Sequence, residues 1–237
     1  MCGGFALDRK LGLLKKRLKA QHAPEPEGVS LKRFRMAPSD HVEVIPQDHP
    51  QQAKFMQWGL IPHWAKPEKV KSRTLPPPIN ARAETVADKP TFRDAFYQHR
   101  CLVPASWYFE WAEPEPGRKS KQPYKIRPEG QEEFAFAAIC SPWQTQPETE
   151  PLWTFSLVTV PAAESIAHLH DRMPLILKPG EEEELWVNEA CTAFELEQLM
   201  RPYEEPMEFY PINTQVNNPR NDTPEILNPP GQEGLFG

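Results

Sequence analysis

Short runs of hydrophobic residues recur along the chain and end at proline or at charged residues. Runs rich in β-branched and aromatic residues with such boundaries are typical of β-strands. The sequence predicts seven strand segments: 41–45, 54–61, 100–111, 124–127, 133–140, 152–160 and 174–178. We therefore expect β-sheet to enclose the core.

Helical spacing is less frequent. Leucines at 7, 11, 14 and 18 predict an amphipathic surface helix over 7–20, with Asp8 as its N-cap and a basic outer face that is either solvated or in contact with phosphates. Four further helices are predicted: 90–99, 162–169, 181–188 and 192–200. Strands among short helices favour the α+β class, as a single domain of curled, mostly antiparallel, barrel-like β-sheets with a few short peripheral helices.

The length and composition are those of one globular domain. The chain has 237 residues, and 29 prolines against 11 glycines predict many short elements joined by rigid turns. We expect the domain over 1–225 and a C-terminal tail over 226–237, and we interpret 66–78 as a basic surface loop. No hydrophobic run approaches the roughly 20 residues that cross a bilayer, and none resembles a signal peptide. We expect a monomeric cytoplasmic protein without membrane contact.

Charge is distributed unevenly along the chain. The net charge is −6, but residues 1–130 contain 23 Lys/Arg and 14 Asp/Glu, whereas residues 131–237 contain 4 and 19. A basic half can form a groove that follows nucleic-acid phosphates, since salt limits the reach of each charge to about 10 Å. Solvated surface charge is the alternative interpretation.

The four cysteines lie far apart, without the paired spacing of a zinc ribbon or a disulfide framework. Cys2 follows the initiator methionine, and removal of Met1 would leave a free α-amine and a thiol on one residue. An aldehyde would form an imine with this amine, and the thiol would close a five-membered thiazolidine by an intramolecular step. The alternative is that a cysteine stands at position 2 by accident.

Polar residues stand in apolar or proline-rich surroundings in four stretches: INARAET (79–85), CLVPASWYFEW (101–111), HLHDRMPLIL (168–177) and PINTQVNNPRND (211–222). With MCG at the N-terminus, APSD (37–40) and WGLIPHW (58–64), they resemble the SRAP family, the SOS response-associated peptidase-like proteins. The resemblance runs from Cys2 to about Asp222. It implies a protein that recognises abasic sites in single-stranded DNA and links itself to them through Cys2, without a cofactor.

The resemblance implies four catalytic residues, Cys2, Asn80, Glu110 and His170. Glu110 lies between two aromatic residues, where an apolar wall would raise its pKa and suit it to proton transfer; the alternative is an outward-facing glutamate. His170 can exchange a proton near neutral pH. Asn80 can orient the terminal amine or an oxyanion, or it holds a turn after three prolines.

Other residues are candidates for DNA contact. Arg82 is two residues from Asn80, so it shares a side with Asn80 in an extended chain, and it suits phosphate. Trp64 is placed near DNA by the resemblance, where an aromatic ring can stack on a base, whereas Trp58 is expected in the core. Arg172 is a further DNA-binding candidate. The two histidines of HLH lack the additional ligands of a metal site, so no metal is expected.

The chain departs from the family pattern at three positions. Gly4 replaces a family arginine, Arg35 replaces an asparagine, and Trp107 replaces a small residue. We hypothesise that Arg35 partly restores the charge lost at position 4, and we expect the three departures to alter DNA contact more than chemistry. Two other functions stay open: an N-terminal-nucleophile cysteine peptidase that acts on its own Met1 or on other amides, and a non-covalent reader of modified bases.

Overall fold

The computed structural model describes residues 2–7, 12–28, 32–72, 74, 76–114, 120–146 and 148–231. Its strands are β1 (Phe5–Ala6), β2 (His41–Pro46), β3 (Lys54–Trp58), β4 (Asn80–Arg82), β5 (Arg100–Ala105), β6 (Trp107–Ala112), β7 (Gln122–Pro128), β8 (Phe134–Trp143), β9 (Leu152–Pro161), β10 (Arg172–Pro174), β11 (Ile176–Leu177) and β12 (Met207–Pro211). Each of the seven predicted segments contains strand, although 54–61 is strand only as far as Trp58 and 174–178 covers the end of β10 and all of β11. The pattern missed β1, β4 and β12.

Five strands close a barrel in the order β9, β3, β2, β5, β8 and back to β9. Four of these five contacts are antiparallel, and β3 runs parallel to β9. Three short strands extend the barrel, since β4 and β10 pair with β9 and β11 pairs with β8. The predicted α+β class, with curled, mostly antiparallel sheets in one domain, is confirmed.

A second sheet has the strand order β1, β6, β7, β12 and is antiparallel throughout. The predicted segment 100–111 is interrupted at Ser106, whose N–H donates to the carbonyl of Ala6 at 2.7 Å. The chain thus leaves the barrel through β5 and enters the second sheet through β6. This step places β6 beside the N-terminal residues.

The helices are short: α1 (Leu13–Leu18), α2 (Pro67–Lys71), α3 (Ala83–Val86), α4 (Arg93–Gln98), α5 (Glu181–Trp186) and α6 (Ala193–Leu199). Predictions over 90–99, 181–188 and 192–200 are confirmed. The prediction over 162–169 was wrong in type, because the chain there forms only a 3₁₀ turn, Glu164–Ile166. The segment 66–78 contains α2, which has no buried residue, and positions 73 and 75 lie outside the described residues.

The predicted helix over 7–20 was wrong in its first part. The backbone N–H of Leu7 donates to the carbonyl of Arg33 at 2.8 Å, which holds Leu7 extended after β1. Gly12 has a φ of 55°, in the left-handed region, and α1 starts only after it. Asp8, the predicted N-cap, lies outside the described residues.

Two hydrophobic clusters stabilise the fold. The larger fills the barrel, where Trp58 stacks on Phe155 with ring centroids 6.2 Å apart. The smaller lies against the second sheet and joins Phe109 to Ile226. Ile226 is fully buried, so packing continues past the boundary predicted after residue 225. Among the described helices, none has the length and hydrophobicity needed to cross a membrane.

Candidate functional site around Cys2

Cys2 is fully buried at the junction of the barrel and the second sheet. Its Sγ donates to the carbonyl of Gly4 at 3.4 Å, and this carbonyl also accepts the N–H of Phe109 in β6 at 2.9 Å. Burial, and then the negative charge of Glu110, raise the pKa of the Cys2 thiol to about 12. In this state the sulfur is a protonated thiol, so its use as a nucleophile requires a base.

Asn80 is held against Cys2 by β4. This short strand runs parallel to β9, with Asn80 opposite Leu157, and it directs the Asn80 side chain toward the N-terminus. Nδ2 of Asn80 donates to the main-chain carbonyl of Cys2 at 2.9 Å. Within the described chain, the buried Oδ1 of Asn80 has no hydrogen-bond partner. Asn80 therefore fixes the Cys2 backbone and presents an uncommitted acceptor beside it.

Glu110 lies in β6 with 3% of its surface exposed. Burial raises the pKa of its carboxyl, and the positive charges of the N-terminal amine and of His170 oppose this effect. The prediction that an apolar environment raises the pKa of Glu110 is confirmed in direction. Glu110 thus interacts electrostatically with the Cys2 thiol, the N-terminal amine and the His170 ring.

His170 follows the 3₁₀ turn Glu164–Ile166 and comes directly before β10. Its Nδ1 accepts the backbone N–H of Arg172 at 3.0 Å, which fits a neutral ring with its proton on Nε2. The same Nδ1 lies 2.9 Å from a carboxylate oxygen of Asp171, to which a protonated ring would donate. Both protonation states of His170 thus have a partner in place, which suits proton exchange.

The four residues predicted as catalytic therefore meet at one place, although they come from four segments of the chain. Asn80 bonds to Cys2, Glu110 acts electrostatically on Cys2, and His170 acts on Glu110. Among the described residues, no cluster of His, Cys, Asp and Glu could hold a metal ion. The chemistry available at this site is that of a thiol, a carboxyl, an imidazole and an amide.

Arg35 occupies the space beside Gly4. A Cβ built on Gly4 would overlap Nη1 and Cζ of Arg35. The guanidinium donates from Nη1 to the carbonyls of Gly3 and Met36 at 3.2 and 2.7 Å, and from Nε to Val216 at 2.9 Å. Only 4% of Arg35 is exposed, and its positive charge lowers the pKa of Cys2. The guanidinium of Arg35 thus occupies the space that the Cβ of a larger residue at position 4 would take.

The segment that carries Arg35 is held by a residue distant in sequence. The carboxylate of Asp222 accepts the backbone N–H groups of Arg33, Phe34 and Arg35, with the shortest bond 2.7 Å to Phe34. The stretch 211–222, singled out above for its polar residues, therefore fixes the segment that carries Arg35. The two partners are almost 190 residues apart in sequence, so no local pattern could have paired them.

The predicted DNA contacts differ in availability. Trp64 is 48% exposed, whereas Trp58 is fully buried, as expected. Arg82 is exposed at the end of β4. Arg172 forms a bidentate ion pair with Glu84 and donates to the carbonyl of Thr159 at 2.6 Å. Its guanidinium is therefore engaged within the protein, and contact with a DNA phosphate would require the ion pair to break.

Trp107 lies on the other side of the second sheet from Glu110. Successive residues of a strand point to opposite faces, so Tyr108 and Glu110 face Cys2 while Trp107 faces away. On that outer face the Trp107 ring packs under the guanidinium of Arg127 at 4.1 Å and Nζ of Lys125 at 4.7 Å. The Trp107 side chain therefore does not face Cys2, and Phe109 and Trp111 on its side of β6 contact the guanidinium of Arg35.

Comparison with known proteins agrees with the resemblance seen in the sequence. Residues 1–219 match the family described as SOS response associated peptidase (SRAP). Abasic site processing protein YoqW of Bacillus subtilis strain 168 is 38% identical over 205 residues, which cover 85% of this chain and 88% of YoqW. Abasic site processing protein HMCES of Gallus gallus is 34% identical over 197 residues, covering 73% of this chain and 56% of HMCES.

A solved structure gives the same answer for the fold. The X-ray structure of a protein from Bacteroides thetaiotaomicron matches this chain with a TM-score of 0.82 and 27% identity, and the match covers 96% of this chain and 99% of that protein. Together, the extent of the family match and the identity to the bacterial relative show that this chain belongs to the SRAP family.

Proposed function

We propose that the protein processes abasic sites in single-stranded DNA by forming a covalent cross-link through Cys2. The observation that carries this proposal is the arrangement of Cys2, with its backbone bonded to Asn80 and its thiol under the influence of Glu110. Family membership and relatives named abasic site processing proteins support it. A buried N-terminal aminothiol beside a carboxyl of raised pKa is suited to capture of an aldehyde.

The reaction begins when the abasic sugar opens to its aldehyde form. The neutral α-amine of Cys2, freed by removal of Met1, adds to the aldehyde carbon, and loss of water leaves an imine. The thiol then adds across the C=N bond, with sulfur bonding to carbon and a proton passing to nitrogen. One thiazolidine forms and one water is released, because both nucleophiles belong to the same residue.

Glu110 can serve both proton transfers. Its buried carboxyl favours the protonated form, which can donate to the hydroxyl that leaves as water. The resulting carboxylate can then accept the proton of the Cys2 thiol, which burial otherwise keeps protonated. His170, with partners for both of its protonation states, is suited to proton exchange at the sugar oxygen as the ring opens.

DNA would be held by groups around this site. Trp64 offers an exposed ring for a base next to the lesion, and Arg82 offers an exposed guanidinium for a phosphate. Arg35 supplies a buried positive charge next to Gly4. Stacking on an exposed ring requires a base that is not paired in a duplex, which supports single-stranded DNA as the substrate class.

The test uses the full chain without Met1 and an oligonucleotide with one abasic site. We expect a heat-stable adduct that disappears in Cys2→Ala and persists in the matched control Cys191→Ala, which removes a partly exposed thiol outside the site. No adduct with the wild type would overturn the proposal. Abasic-site binding without an adduct, unchanged in Cys2→Ala, would favour the non-covalent reader.

A peptidase reaction at the N-terminus is the second candidate. The amide nitrogen of the first peptide bond belongs to Cys2, and the negative charge of Glu110 acts on Cys2, so this bond is near the proposed proton-transfer group. Mass spectrometry of wild type and Glu110→Ala would decide, if both are produced in an extract without methionine aminopeptidase. Loss of Met1 only from the wild type would support self-cleavage, and retention in both would exclude it.

A further inference from the structure

Tyr108 has a fully buried hydroxyl group with no hydrogen-bond partner in the described part of the chain. It lies in β6 opposite Phe5, and its ring meets Phe136 edge-on with centroids 6.2 Å apart. Buried hydroxyl groups are usually hydrogen-bonded, since leaving one unsatisfied is costly. The packing explains the ring of Tyr108 but not its oxygen.

The Tyr108 side chain lies on the side of β6 that faces the proposed reaction centre. Tyr108 and Glu110 are two residues apart in β6, so both point to the face of the second sheet that covers Cys2. Burial raises the pKa of the phenol well above its usual range, and the negative charges of Glu110 and of Cys2 add to the effect. The hydroxyl therefore keeps its proton at all physiological pH values and is a permanent donor.

The Cys2 sulfur requires such a donor once it reacts. In the present state the thiol donates to the carbonyl of Gly4, an acceptor that cannot stabilise a thiolate. Arg35 acts on Cys2 through its charge, but its Nε and Nη1 already donate to backbone carbonyls. Among the described groups that act electrostatically on Cys2, the Tyr108 hydroxyl is a donor with no bond to give up.

We propose that Tyr108 is a positioning residue, whose hydroxyl donates a hydrogen bond to the Cys2 sulfur as the thiol gives up its proton. This inference rests on the proposed function, since the thiol loses its proton in the cross-linking reaction. The hydroxyl is left unsatisfied before the reaction and gains its partner during it, so the interaction favours the reacting state over the resting state. No bond to Tyr108 is formed or broken.

The substitution Tyr108→Phe tests this proposal because it keeps the ring and removes only the oxygen. We expect the thermal midpoint to rise, since an unsatisfied buried group is lost, while the rate of adduct formation falls about tenfold at unchanged DNA affinity. The matched control is Tyr203→Phe. The Tyr203 hydroxyl accepts a bond from Gln131 at 2.7 Å, away from Cys2, so this change should lower the midpoint and leave the adduct rate unchanged.

A second measurement needs no DNA and so separates this proposal from the proposed function. The rate at which iodoacetamide alkylates Cys2 in the chain without Met1 is measured against pH, by mass spectrometry of the N-terminal peptide. In Tyr108→Phe the rising limb should move to higher pH, with alkylation about tenfold slower at a given pH for a move of one unit.

The outcomes are distinct. An unchanged alkylation profile together with a lower thermal midpoint would make Tyr108 purely structural and overturn the inference. A shifted profile in a protein whose wild type gives no adduct would support the contact with sulfur and overturn only the proposed function. A shifted profile together with a slower adduct rate supports both.

Discussion

Two buried glutamates in this protein have opposite surroundings. Glu183 is fully buried in α5, where its carboxylate accepts two bonds from Arg17 at 2.6 and 2.8 Å and one from the N–H of Gly180 at 3.0 Å. Glu110 is almost as buried, but the positive charges that stabilise its carboxylate and lower its pKa belong to the N-terminal amine and His170. Arginine is always charged, whereas amines and imidazoles titrate near neutral pH. Glu183 is therefore held as a carboxylate by a permanent cation, whereas the partners of Glu110 can themselves gain or lose a proton.

Other buried polar groups follow the same division. The guanidinium of Arg100, 2% exposed, donates to four backbone carbonyls, those of Phe96, Tyr97, Trp186 and Asn188. Near Cys2, by contrast, the described chain offers no partner to Oδ1 of Asn80 or to the hydroxyl of Tyr108. Fully satisfied polar groups stabilise the fold. Buried atoms without a partner also occur away from Cys2, such as Oε1 of Gln131, so it is their position beside Cys2 that makes Asn80 and Tyr108 candidates for a role in the reaction.

The largest effect should come from Glu110→Gln, which removes the proton exchange and keeps the shape. We expect adduct formation to slow by roughly 10² to 10⁴, the range of general acid–base catalysis, with DNA affinity unchanged. Single-turnover kinetics with an excess of protein would measure the rate. A rate within threefold of the wild type would remove Glu110 from the mechanism and end the contrast with Glu183.

Glu183→Gln should lower stability and leave the rate of adduct formation unchanged. It leaves the guanidinium of Arg17 without its carboxylate, and Arg17 is partly exposed, so we expect a loss of about 2 kcal/mol, below the range for fully buried pairs. Urea denaturation gives the free energy of unfolding, and the adduct rate of the folded fraction should equal that of the wild type. If Glu110→Gln proves equally destabilising, Glu110 has a structural role as well.

Sequence patterns predicted the parts of this fold that depend on local sequence. Strand β2 is rich in β-branched residues and ends at Pro46, and its position was predicted within one residue. Strand β4 has only three residues and exists through its parallel pairing with β9, more than 70 residues away. The leucine pattern over 7–20 was correct for α1 but could not show that Gly12 adopts a left-handed conformation.

The site shows the same limit. The family motifs identified Cys2, Asn80, Glu110 and His170, and the structure brings them together. Asp222 and Tyr108 were not identified, because the importance of each depends on what lies opposite in space. The alternation along β6 could have shown that Trp107 and Glu110 face opposite sides, since they are three residues apart on one strand.

Arg35 and Gly4 are neighbours, so a double-mutant cycle can measure whether one substitutes for the other. Gly4→Arg alone should lower both thermal stability and DNA affinity, because the new Cβ overlaps Arg35. Arg35→Asn alone should lower DNA affinity through loss of charge. The double variant should recover most of both properties, with a coupling energy of about 1 kcal/mol in a double-mutant cycle. Additive effects would show that the two positions do not substitute for each other.

Arg100 provides the control for this cycle. It is as buried as Arg35, and burial lowers the pKa of both guanidinium groups, but Arg100 packs against Trp186 away from Cys2. Arg100→Lys should lower the thermal midpoint and leave the DNA affinity of the folded protein unchanged. An equal loss of affinity in both arginine variants would show that the effect of Arg35 comes from destabilisation rather than from its charge.

The smallest expected effect is a dependence of stability on pH. Burial raises the pKa of Glu110 in the folded chain above its value in the unfolded chain. Its contribution is then fully present below the unfolded pKa and is lost as pH rises through the folded pKa. The wild type should therefore lose stability relative to Glu110→Gln as pH rises from acid to neutral. The contributions of all other titratable groups are common to both proteins and cancel in the difference between their unfolding free energies. Urea titrations at several pH values would measure it, and a difference that shrinks as pH rises would mean that the carboxylate, rather than the carboxylic acid, is the form that the fold stabilises.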